Sequence, residues 1–222
     1  MARPRPMLIS VHIPKTSGTS FGLLLRQRFG AALLEDYDDR PLSRGTVPRI
    51  ASAVGHWPLL ARRLAGYQAV HGHFLALKYL PLRAPMVTWL RHPAQRAVSR
   101  YEHYRREVAA GRPLQPVAGL RPGLTLEEFS RVPRFRNTCA KFLRGVPRGR
   151  VACYGFAEDV AGSLARMQQV LGLDLGTSLH ANANPVNAGR PYALEPAQER
   201  SLLALNAEDY RLWCWARERE GL

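Results

Sequence analysis

The sequence predicts an α/β fold of three layers, in which a central, mostly parallel sheet is flanked by helices on both faces. Residues 8–13 form a short apolar run, followed by a turn of small residues and a helical pattern from about Ser20 to Phe29. Residues 67–74 resemble a second strand. Met86–Leu90 is an apolar run that suits a strand buried on both faces, and Pro93 suits the first turn of a following helix.

Length and composition favour one soluble domain over residues 1–222. An apolar content of 46% in 222 residues is ample for a core. The formal charge of +15 depends on arginine, because only three of the 32 basic residues are lysines. This charge would attract anions such as a doubly phosphorylated nucleotide, an acidic glycan or a nucleic acid. A G+C-rich coding sequence would produce the same excess of arginine.

The cysteines and the N-terminal residues indicate a compartment. Cys139, Cys153 and Cys214 are odd in number and lack metal-binding spacing, so we expect buried thiols in a reducing environment. Lys15 interrupts the first apolar run too early for a signal peptide or a membrane span. We therefore expect a cytoplasmic protein. The sequence does not indicate an oligomeric state.

The turn after the first strand predicts a phosphate-binding loop. Backbone N–H groups and the dipole at a helix N-terminus attract anions. Lys15 adds a full charge, and Gly18 lets the backbone approach a phosphate closely. Hydroxyl donors are supplied by Thr16, Ser17, Thr19 and Ser20. The fold is therefore expected to be P-loop-like, although the order G-x-x-x-x-G-K-[ST] of nucleoside-triphosphate loops is absent, which disfavours an ATPase.

The segments between the first two strands give weaker predictions. We expect a polar loop from Glu35 to Gly45, in which Asp36, Asp38 and Asp39 form an exposed acidic turn in preference to a metal site. Pro48–Leu64 is predicted as a helix kinked near Pro58. At the other end of the chain, Glu195–Glu220 is predicted as a helix broken near Asn206, with Tyr210, Trp213 and Trp215 in the core.

The second strand carries two histidines. Because side chains alternate along a strand, His71 and His73 point to the same side. Either imidazole could act as a general base near neutral pH. The spacing alone favours a single structural histidine with a solvated neighbour. A zinc site lacks further ligands nearby.

The third strand leads into a second anion-binding pattern. Arg91 ends the strand, and Ser99 follows two turns into the helix, so a guanidinium and a hydroxyl can converge on one phosphate. We expect Arg96, Ser99 and His103 on one polar face of this helix, opposite a core face that includes Tyr104.

These motifs resemble those of sulfotransferases that use 3′-phosphoadenosine 5′-phosphosulfate (PAPS). Pro14–Ser20 resembles the 5′-phosphosulfate loop, and Arg-x-Pro-x-x-Arg-x-x-Ser-x-Tyr from Arg91 to Tyr101 resembles the 3′-phosphate motif. The segment 71–73 is similar to the catalytic segment of the heparan and uronyl 2-O-sulfotransferase branch. Residues 135–145 and 151–171 resemble later elements of the broad family more loosely.

The resemblance implies a donor, a product and a mechanism. PAPS would transfer its sulfuryl group in line to a hydroxyl of an unidentified glycan, lipid or secondary metabolite, leaving 3′,5′-adenosine bisphosphate (PAP), without a metal. Lys15 would stabilise the leaving oxygen, and His73, with His71 as the rival, would take the acceptor's proton. The basic charge favours an acidic acceptor.

The chain also departs from these families. The extra substrate-binding segments of heparan sulfotransferases are absent, and so is the Arg-Lys-Gly lid of small-molecule enzymes. Residues 182–192 stand in its place, with Arg190 as a candidate phosphate contact or part of a plain connecting loop. Two other functions stay open: a P-loop kinase-like phosphotransferase, and a basic nucleic-acid-binding protein, although the latter leaves the two motifs unexplained.

Overall fold

The computed structural model describes residues 8–37, 39, 42, 45–114, 116–176 and 190–222. These residues contain one five-stranded parallel sheet with the order β2-β3-β1-β4-β5. The strands are β1 (Leu8–Val11), β2 (Leu33–Asp36), β3 (Ala69–Gly72), β4 (Met86–Leu90) and β5 (Val151–Phe156). The helices are α1 (Gly18–Phe29), α2 (Thr46–Gly55), α3 (Leu60–Arg63), α4 (Pro93–Ala109), α5 (Leu126–Arg131), α6 (Thr138–Phe142), α7 (Val160–Leu171), α8 (Pro196–Leu205) and α9 (Ala207–Arg219).

Alternating side chains of the sheet enter two separate cores. Ile9, Val70 and Met86 pack on one face with residues of α3, α6 and α9. Leu8 and Val87 pack on the other face with residues of α1 and α7. The predicted three-layer α/β fold with a flanked parallel sheet is therefore confirmed. The carboxyl ends of all five strands lie at one edge, which is where ligands bind in open sheets of this kind.

The acidic segment after α1 differs from its prediction. The expected loop from Glu35 begins within β2, whose Asp36 is buried beside Gly72 of β3. The Asp36 carboxylate accepts hydrogen bonds from Lys78 Nζ at 2.6 Å and from the Tyr79 hydroxyl at 2.7 Å. The prediction of an exposed acidic turn is thus wrong for Asp36, because its two partners replace the lost water. Asp38 lies outside the described residues.

The predicted helix breaks are confirmed, and two exposure predictions are wrong. A short 3₁₀ turn that contains Pro58 separates α2 from α3, and Asn206 separates α8 from α9.

Tyr210 was predicted in the core but is exposed, because it lies on the outer side of α9. The three cysteines are free thiols, but only Cys139 and Cys153 are buried, and Cys214 is exposed. Within the described ranges, no helix is long and apolar enough to cross a membrane.

Candidate active site

The loop between β1 and α1 has the backbone of an anion site. Lys15 and Ser17 adopt left-handed conformations with φ of 70° and 73°, which are uncommon for residues other than glycine. Ser17 is the N-cap of α1 but makes no capping hydrogen bond through its side chain. The Ser17 side chain therefore does not cap the N-terminus of α1, where the helix dipole places partial positive charge.

The hydroxyl groups of this loop are not equivalent. Thr16 is fully buried, and its hydroxyl donates to the carbonyl oxygen of Ile13 at 2.8 Å. Its hydroxyl therefore fixes the turn. Ser17 and Ser20 are partly exposed and Thr19 is exposed, so these three can face a ligand.

Gly18 is required by a neighbouring side chain. A Cβ atom at Gly18 would lie 2.0 Å from Cδ2 of His12, which is far inside van der Waals contact. His12 follows β1, and its ring is buried against the start of α1. The sequence analysis explained Gly18 by the approach of a phosphate, whereas the structure gives a steric reason within the protein itself.

Positive charges from α4 act on Lys15. The pKa of Lys15 is lowered to about 8, first by burial and then by the positive charges of Arg100 and Arg106. Arg91 lowers the pKa further, whereas the carboxylate of Glu107 opposes the shift. Concentrating cations around a half-buried lysine costs free energy in the absence of an anion. The arrangement therefore suits a ligand with several negative charges.

Arg91 and Arg96 have different environments, although both belong to the second motif. Arg91 directly follows β4, is half-buried, and its guanidinium lies 5.6 Å from the ring centre of Tyr192. Burial lowers its pKa. Ser99 is partly exposed about two turns into α4. Both can face a ligand near the N-terminus of this helix.

Arg96 does not share the polar face predicted for it. It is 2% exposed and donates to the Phe135 carbonyl oxygen and to Asn206 Oδ1. Its Nε also lies 3.6 Å from the buried Asp209 carboxylate. The prediction that grouped Arg96 with Ser99 is wrong, because α9 supplies buried partners that the local pattern does not reveal.

Three histidines meet at the carboxyl ends of β1 and β3. The ring of His12 lies 5.0 Å from that of His71 and 4.2 Å from that of His73, measured between centroids. His12 Nδ1 is 3.0 Å from the Tyr37 hydroxyl. Burial, together with the neighbouring imidazoles, lowers the pKa of His12 to about 2. His12 is therefore neutral at physiological pH.

His71 and His73 differ in access and in hydrogen bonding. His71 has no exposed surface, its Nδ1 is 2.8 Å from Ser10 Oγ, and burial lowers its pKa to about 4. His73 is partly exposed, and its Nδ1 donates to the carbonyl oxygen of His12 at 2.6 Å. Because a carbonyl can only accept, the proton of neutral His73 is on Nδ1, and Nε2 carries the lone pair. Burial also lowers the pKa of His73.

The described end of the 182–192 segment lies beside α4. Tyr192 N–H donates to Gln95 Oε1 at 2.7 Å, and Gln95 Nε2 donates to the Tyr192 carbonyl oxygen at 3.0 Å. This pairing holds the residues after Arg190 near Arg91. Arg190 itself is exposed. Residues 182–189 lie outside the described part of the chain.

The structure brings together residues that the sequence analysis did not identify. His12 contacts both predicted histidines, Tyr37 contacts His12, and the charge of Arg100 lowers the pKa of both Lys15 and His73. Of His12, Tyr37 and Arg100, only His12 could have been singled out from the sequence, because it lies just before the phosphate loop. Its position beside His73 depends on β1 pairing with β3, which the sequence does not specify.

Comparisons with known proteins agree with this architecture. No family model matches the sequence, and no curated protein matches it. Two solved structures similar to this chain are sulfotransferases. One, from Alicyclobacillus acidocaldarius, is 17% identical with a TM-score of 0.50, and the match covers 98% of this chain and 97% of that one. The other, mouse sulfotransferase SULT7A1 in complex with PAP, is 13% identical with a TM-score of 0.47, over 91% of this chain and 64% of that one. The first match shows that this chain has the fold of that bacterial sulfotransferase.

Proposed function

We propose that this chain is a PAPS-dependent O-sulfotransferase, formed by one domain over residues 1–222. The observation that carries the proposal is that burial and the charges of Arg100, Arg106 and Arg91 lower the pKa of Lys15, which lies just before the N-terminus of α1. The charge of Arg100 also lowers the pKa of His73. Such a site suits a donor that carries several anionic groups. The neutral imidazole of His73 would then serve as the base beside that donor. The fold shared with the bacterial sulfotransferase is consistent with this reaction.

The two predicted motifs have separate roles in this proposal. Lys15, the N–H groups from Ser17 to Ser20 and the accessible hydroxyls would hold the 5′-phosphosulfate. Arg91 and Ser99 would hold the 3′-phosphate, with Arg190 as a further contact. Thr16 would act by fixing the turn, because its hydroxyl already donates to Ile13. Two phosphate sites at different elements would distinguish PAPS from nucleotides that lack a 3′-phosphate.

The chemical step requires a base, and His73 fits better than His71. Its Nε2 carries a lone pair while its Nδ1 is held by the carbonyl oxygen of His12. Nε2 would accept the proton of the acceptor hydroxyl as the oxygen forms its bond to sulfur. The bond between sulfur and the bridging oxygen breaks in the same step, and Lys15 stabilises the negative charge that develops on that oxygen. His71, fully buried and paired with Ser10, would orient the segment.

The partners implied are the nucleotide donor and an acceptor with a hydroxyl group. No metal is needed, because Lys15 and the helix dipole supply positive charge where the leaving oxygen forms. We place the reaction in the cytoplasm, where the three free thiols would stay reduced.

Calorimetric titration tests the donor. We expect PAP, the product, to bind at least tenfold more tightly than AMP, because only PAP would contact Arg91 and Ser99. Binding of ATP with no binding of PAP would overturn the proposal in favour of a kinase-like enzyme. Salt-sensitive binding of nucleic acid that is unchanged by Lys15→Ala, with no binding of PAP, would favour the nucleic-acid-binding alternative.

Activity with labelled PAPS tests the reaction. We expect Lys15→Ala to lower turnover about a hundredfold or more, as does loss of a well-placed charge donor in other enzymes. Arg63→Ala is a suitable control, since Arg63 lies in α3 and is exposed. A Lys15→Ala enzyme with the turnover of Arg63→Ala would contradict the role of Lys15.

A further inference from the structure

Tyr37, which directly follows β2, lies among the three histidines of the candidate active site. Its hydroxyl is 3.0 Å from Nδ1 of His12. Its ring is nearly perpendicular to that of His73, at 89°, and the two ring centres are 4.9 Å apart. Tyr37 therefore contacts the proposed base with its ring and the neighbour of that base with its hydroxyl. Neither predicted nucleotide motif includes Tyr37, and the chemical step proposed above does not use it.

The imidazole of His73 is packed among aromatic rings. The ring centre of His12 lies 4.2 Å away, and that of Phe142 in α6 lies 6.3 Å away at an angle of 77°. Tyr37 is the third ring of this set. Rings packed on several sides leave few rotamers free of clashes. Because Nδ1 of His73 is also bonded to the His12 carbonyl oxygen, the direction of its Nε2 depends on these neighbours.

Of these three rings, that of Tyr37 needs an attachment of its own. His12 is 6% exposed and Phe142 is 1% exposed, so the surrounding core atoms hold both side chains in place. Tyr37 is only partly buried, and a side chain with one side open to water keeps part of its rotamer freedom. The structure provides the attachment at both ends of the residue, through its backbone and through its hydroxyl.

The backbone end is fixed by a buried ion pair. Asp36, which precedes Tyr37, and its partner Lys78 are both buried. The Asp36 carboxylate accepts hydrogen bonds from Lys78 Nζ and from the Tyr79 hydroxyl. Gly72 of β3 lets β2 come close, since a Cβ atom there would lie 1.9 Å from the Asp36 carbonyl oxygen. The end of β2 is thus held against β3, and Tyr37 starts from a rigid support.

The hydroxyl end is fixed by His12. Burial raises the pKa of Tyr37 to about 12, and burial together with the neighbouring imidazoles lowers the pKa of His12 to about 2. At neutral pH the hydroxyl therefore keeps its proton and the imidazole is uncharged. A hydroxyl both donates and accepts, so it bonds Nδ1 in either tautomer of His12. The bond thus persists across the range of pH in which the enzyme would work.

We propose that Tyr37 is a positioning residue for the base. Its hydroxyl fixes the ring of His12, its own ring packs on His73, and Nε2 of His73 is thereby aimed at the acceptor hydroxyl. The aim matters, because a misplacement of about 1 Å in an active site costs on the order of a hundredfold in rate. This inference rests on the proposed sulfotransferase function, since that function requires a base.

NMR of the ¹⁵N-labelled full chain, saturated with PAP and also without nucleotide, tests the inference without an acceptor. The spectrum reports which nitrogen of His73 carries the proton, and at what pH the ring gains a second one. We expect one tautomer in the parent, with the proton on Nδ1. Tyr37→Phe keeps the ring but removes the hydroxyl. It should give a mixture of both His73 tautomers, because the His12 ring and the carbonyl oxygen beside it are no longer fixed.

Tyr37→Ala also removes the ring, so that water reaches His73. The pKa of His73 should then rise toward its ordinary value of 6.5, because burial is the main cause that lowers it. The other groups that act on this imidazole keep their charge in that range. His12 and His71 are neutral there, with pKa values of about 2 and about 4, and Arg100 on α4, with a pKa of about 10, is cationic. A rise therefore reports access of water, and Tyr37→Phe should leave the pKa lowered.

Release of labelled sulfate from PAPS, with water as the acceptor, gives a rate. We expect Tyr37→Phe to lower kcat about tenfold, while the KM for PAPS and the affinity for PAP stay unchanged because the donor site is intact. If the hydroxyl acts through His12, adding Tyr37→Phe to His12→Phe should cost nothing further, as expected for two residues that share one hydrogen bond.

Tyr154→Phe is the matched control for loss of a tyrosine hydroxyl. The Tyr154 hydroxyl donates to the carbonyl oxygen of Arg148 at 3.1 Å, and Tyr154 lies on β5, at the opposite edge of the sheet from β2. This variant should lower the melting temperature, as should Tyr37→Phe, yet leave kcat and the His73 spectrum unchanged.

The outcomes separate this inference from the proposed function. If PAP binds but Tyr37→Phe keeps a single His73 tautomer and the kcat of the parent, the inference is wrong and the proposed function stands. The same loss of kcat in Tyr154→Phe would also overturn the inference, because the effect would then follow stability. If PAP does not bind, the proposed function fails. In that case, or where water is too poor an acceptor to give a rate, the spectra decide alone: an unchanged tautomer in Tyr37→Phe and an unchanged pKa in Tyr37→Ala would show that Tyr37 does not hold His73.

Discussion

The Nδ1–H group of His73 donates a hydrogen bond to the backbone carbonyl oxygen of His12 over 2.6 Å. This bond joins the residue after β3 to the residue after β1, and the His12 N–H in turn donates to the Gly72 carbonyl oxygen at 2.8 Å. The backbone of one strand thus fixes the tautomer and orientation of a histidine on its neighbour. A neutral imidazole held in this way presents Nε2 as its basic atom.

The first prediction separates the two histidines. His73→Asn should lower kcat about a hundredfold or more, because a positioned general base contributes about 10²- to 10⁴-fold, while PAP affinity and the melting temperature change little. His71→Asn should instead lower the melting temperature, since His71 is fully buried against Ser10 and Gly22. Steady-state kinetics and thermal unfolding measure both. A large loss of kcat in a stable His71→Asn enzyme would assign the base to His71.

The second prediction concerns pH. Lys15 acts in its charged form, and its pKa in the free enzyme is about 8. The value of kcat/KM, which follows ionisation of the free enzyme, should therefore fall above about pH 8 as Lys15 loses its proton. His73 acts in its neutral form and its pKa is lowered from 6.5, so the acid limb should begin below pH 6.5. A pH profile of kcat/KM measures both limbs.

Lys15→Arg is the control for the alkaline limb. Arginine stays protonated throughout this range, so the variant should lose that limb even where its maximal rate is lower. An alkaline limb of unchanged position in Lys15→Arg would show that another group causes it.

The third prediction contrasts two arginines of the same motif. Arg91→Ala should weaken PAP binding about 10- to 100-fold with little loss of stability, because it would remove a charged hydrogen bond to the 3′-phosphate. Arg96→Ala should instead destabilise the fold by about 3–5 kcal/mol, because it leaves the buried carboxylate of Asp209 without its cation. Calorimetry and denaturant unfolding separate the two effects. Equal PAP affinity in the parent and Arg91→Ala would exclude Arg91 from the 3′-phosphate site.

The sequence predicted the elements whose causes are local. The apolar runs of β1 and β4 and the turn before α1 were visible, because each depends on residues adjacent in the chain. The edge strand β2 was missed, because Glu35 and Asp36 are polar and Asp36 is neutralised by partners more than 40 residues away. Arg96 was misplaced for the same reason, since its partners Phe135, Asn206 and Asp209 are all distant from it in the chain.

The candidate site was predicted as separate motifs, whereas its assembly depends on tertiary structure. Lys15 and Arg91 were identified by the pattern around each of them. The contribution of His12 and Arg100 follows from the pairing of β1 with β3 and from the packing of α4 beside the loop, and neither relation has a sequence signal of its own. The choice between His71 and His73 likewise required burial, which alternation along a strand does not determine.

The last prediction concerns the contact between Gly18 and His12. Gly18→Ala would place a Cβ atom 2.0 Å from the His12 ring, so the ring or the start of α1 must move. Alanine improves helix propensity by up to about 1 kcal/mol, but a clash in a packed site costs about 1–3 kcal/mol, so we expect net destabilisation. Turnover should also fall, because His12 holds His73. Denaturant unfolding and steady-state kinetics measure the two effects.

Gly55→Ala is the matched control for this change. Gly55 ends α2, and a Cβ atom there would have no neighbour within 4 Å. This control should be neutral or slightly more stable than the parent, with unchanged turnover. In the double variant Gly18→Ala, His12→Ala, the steric cost should disappear, so that the loss of stability is smaller than the sum of the two single losses. Additive losses, or a Gly18→Ala chain as stable as Gly55→Ala, would show that the contact does not constrain the loop.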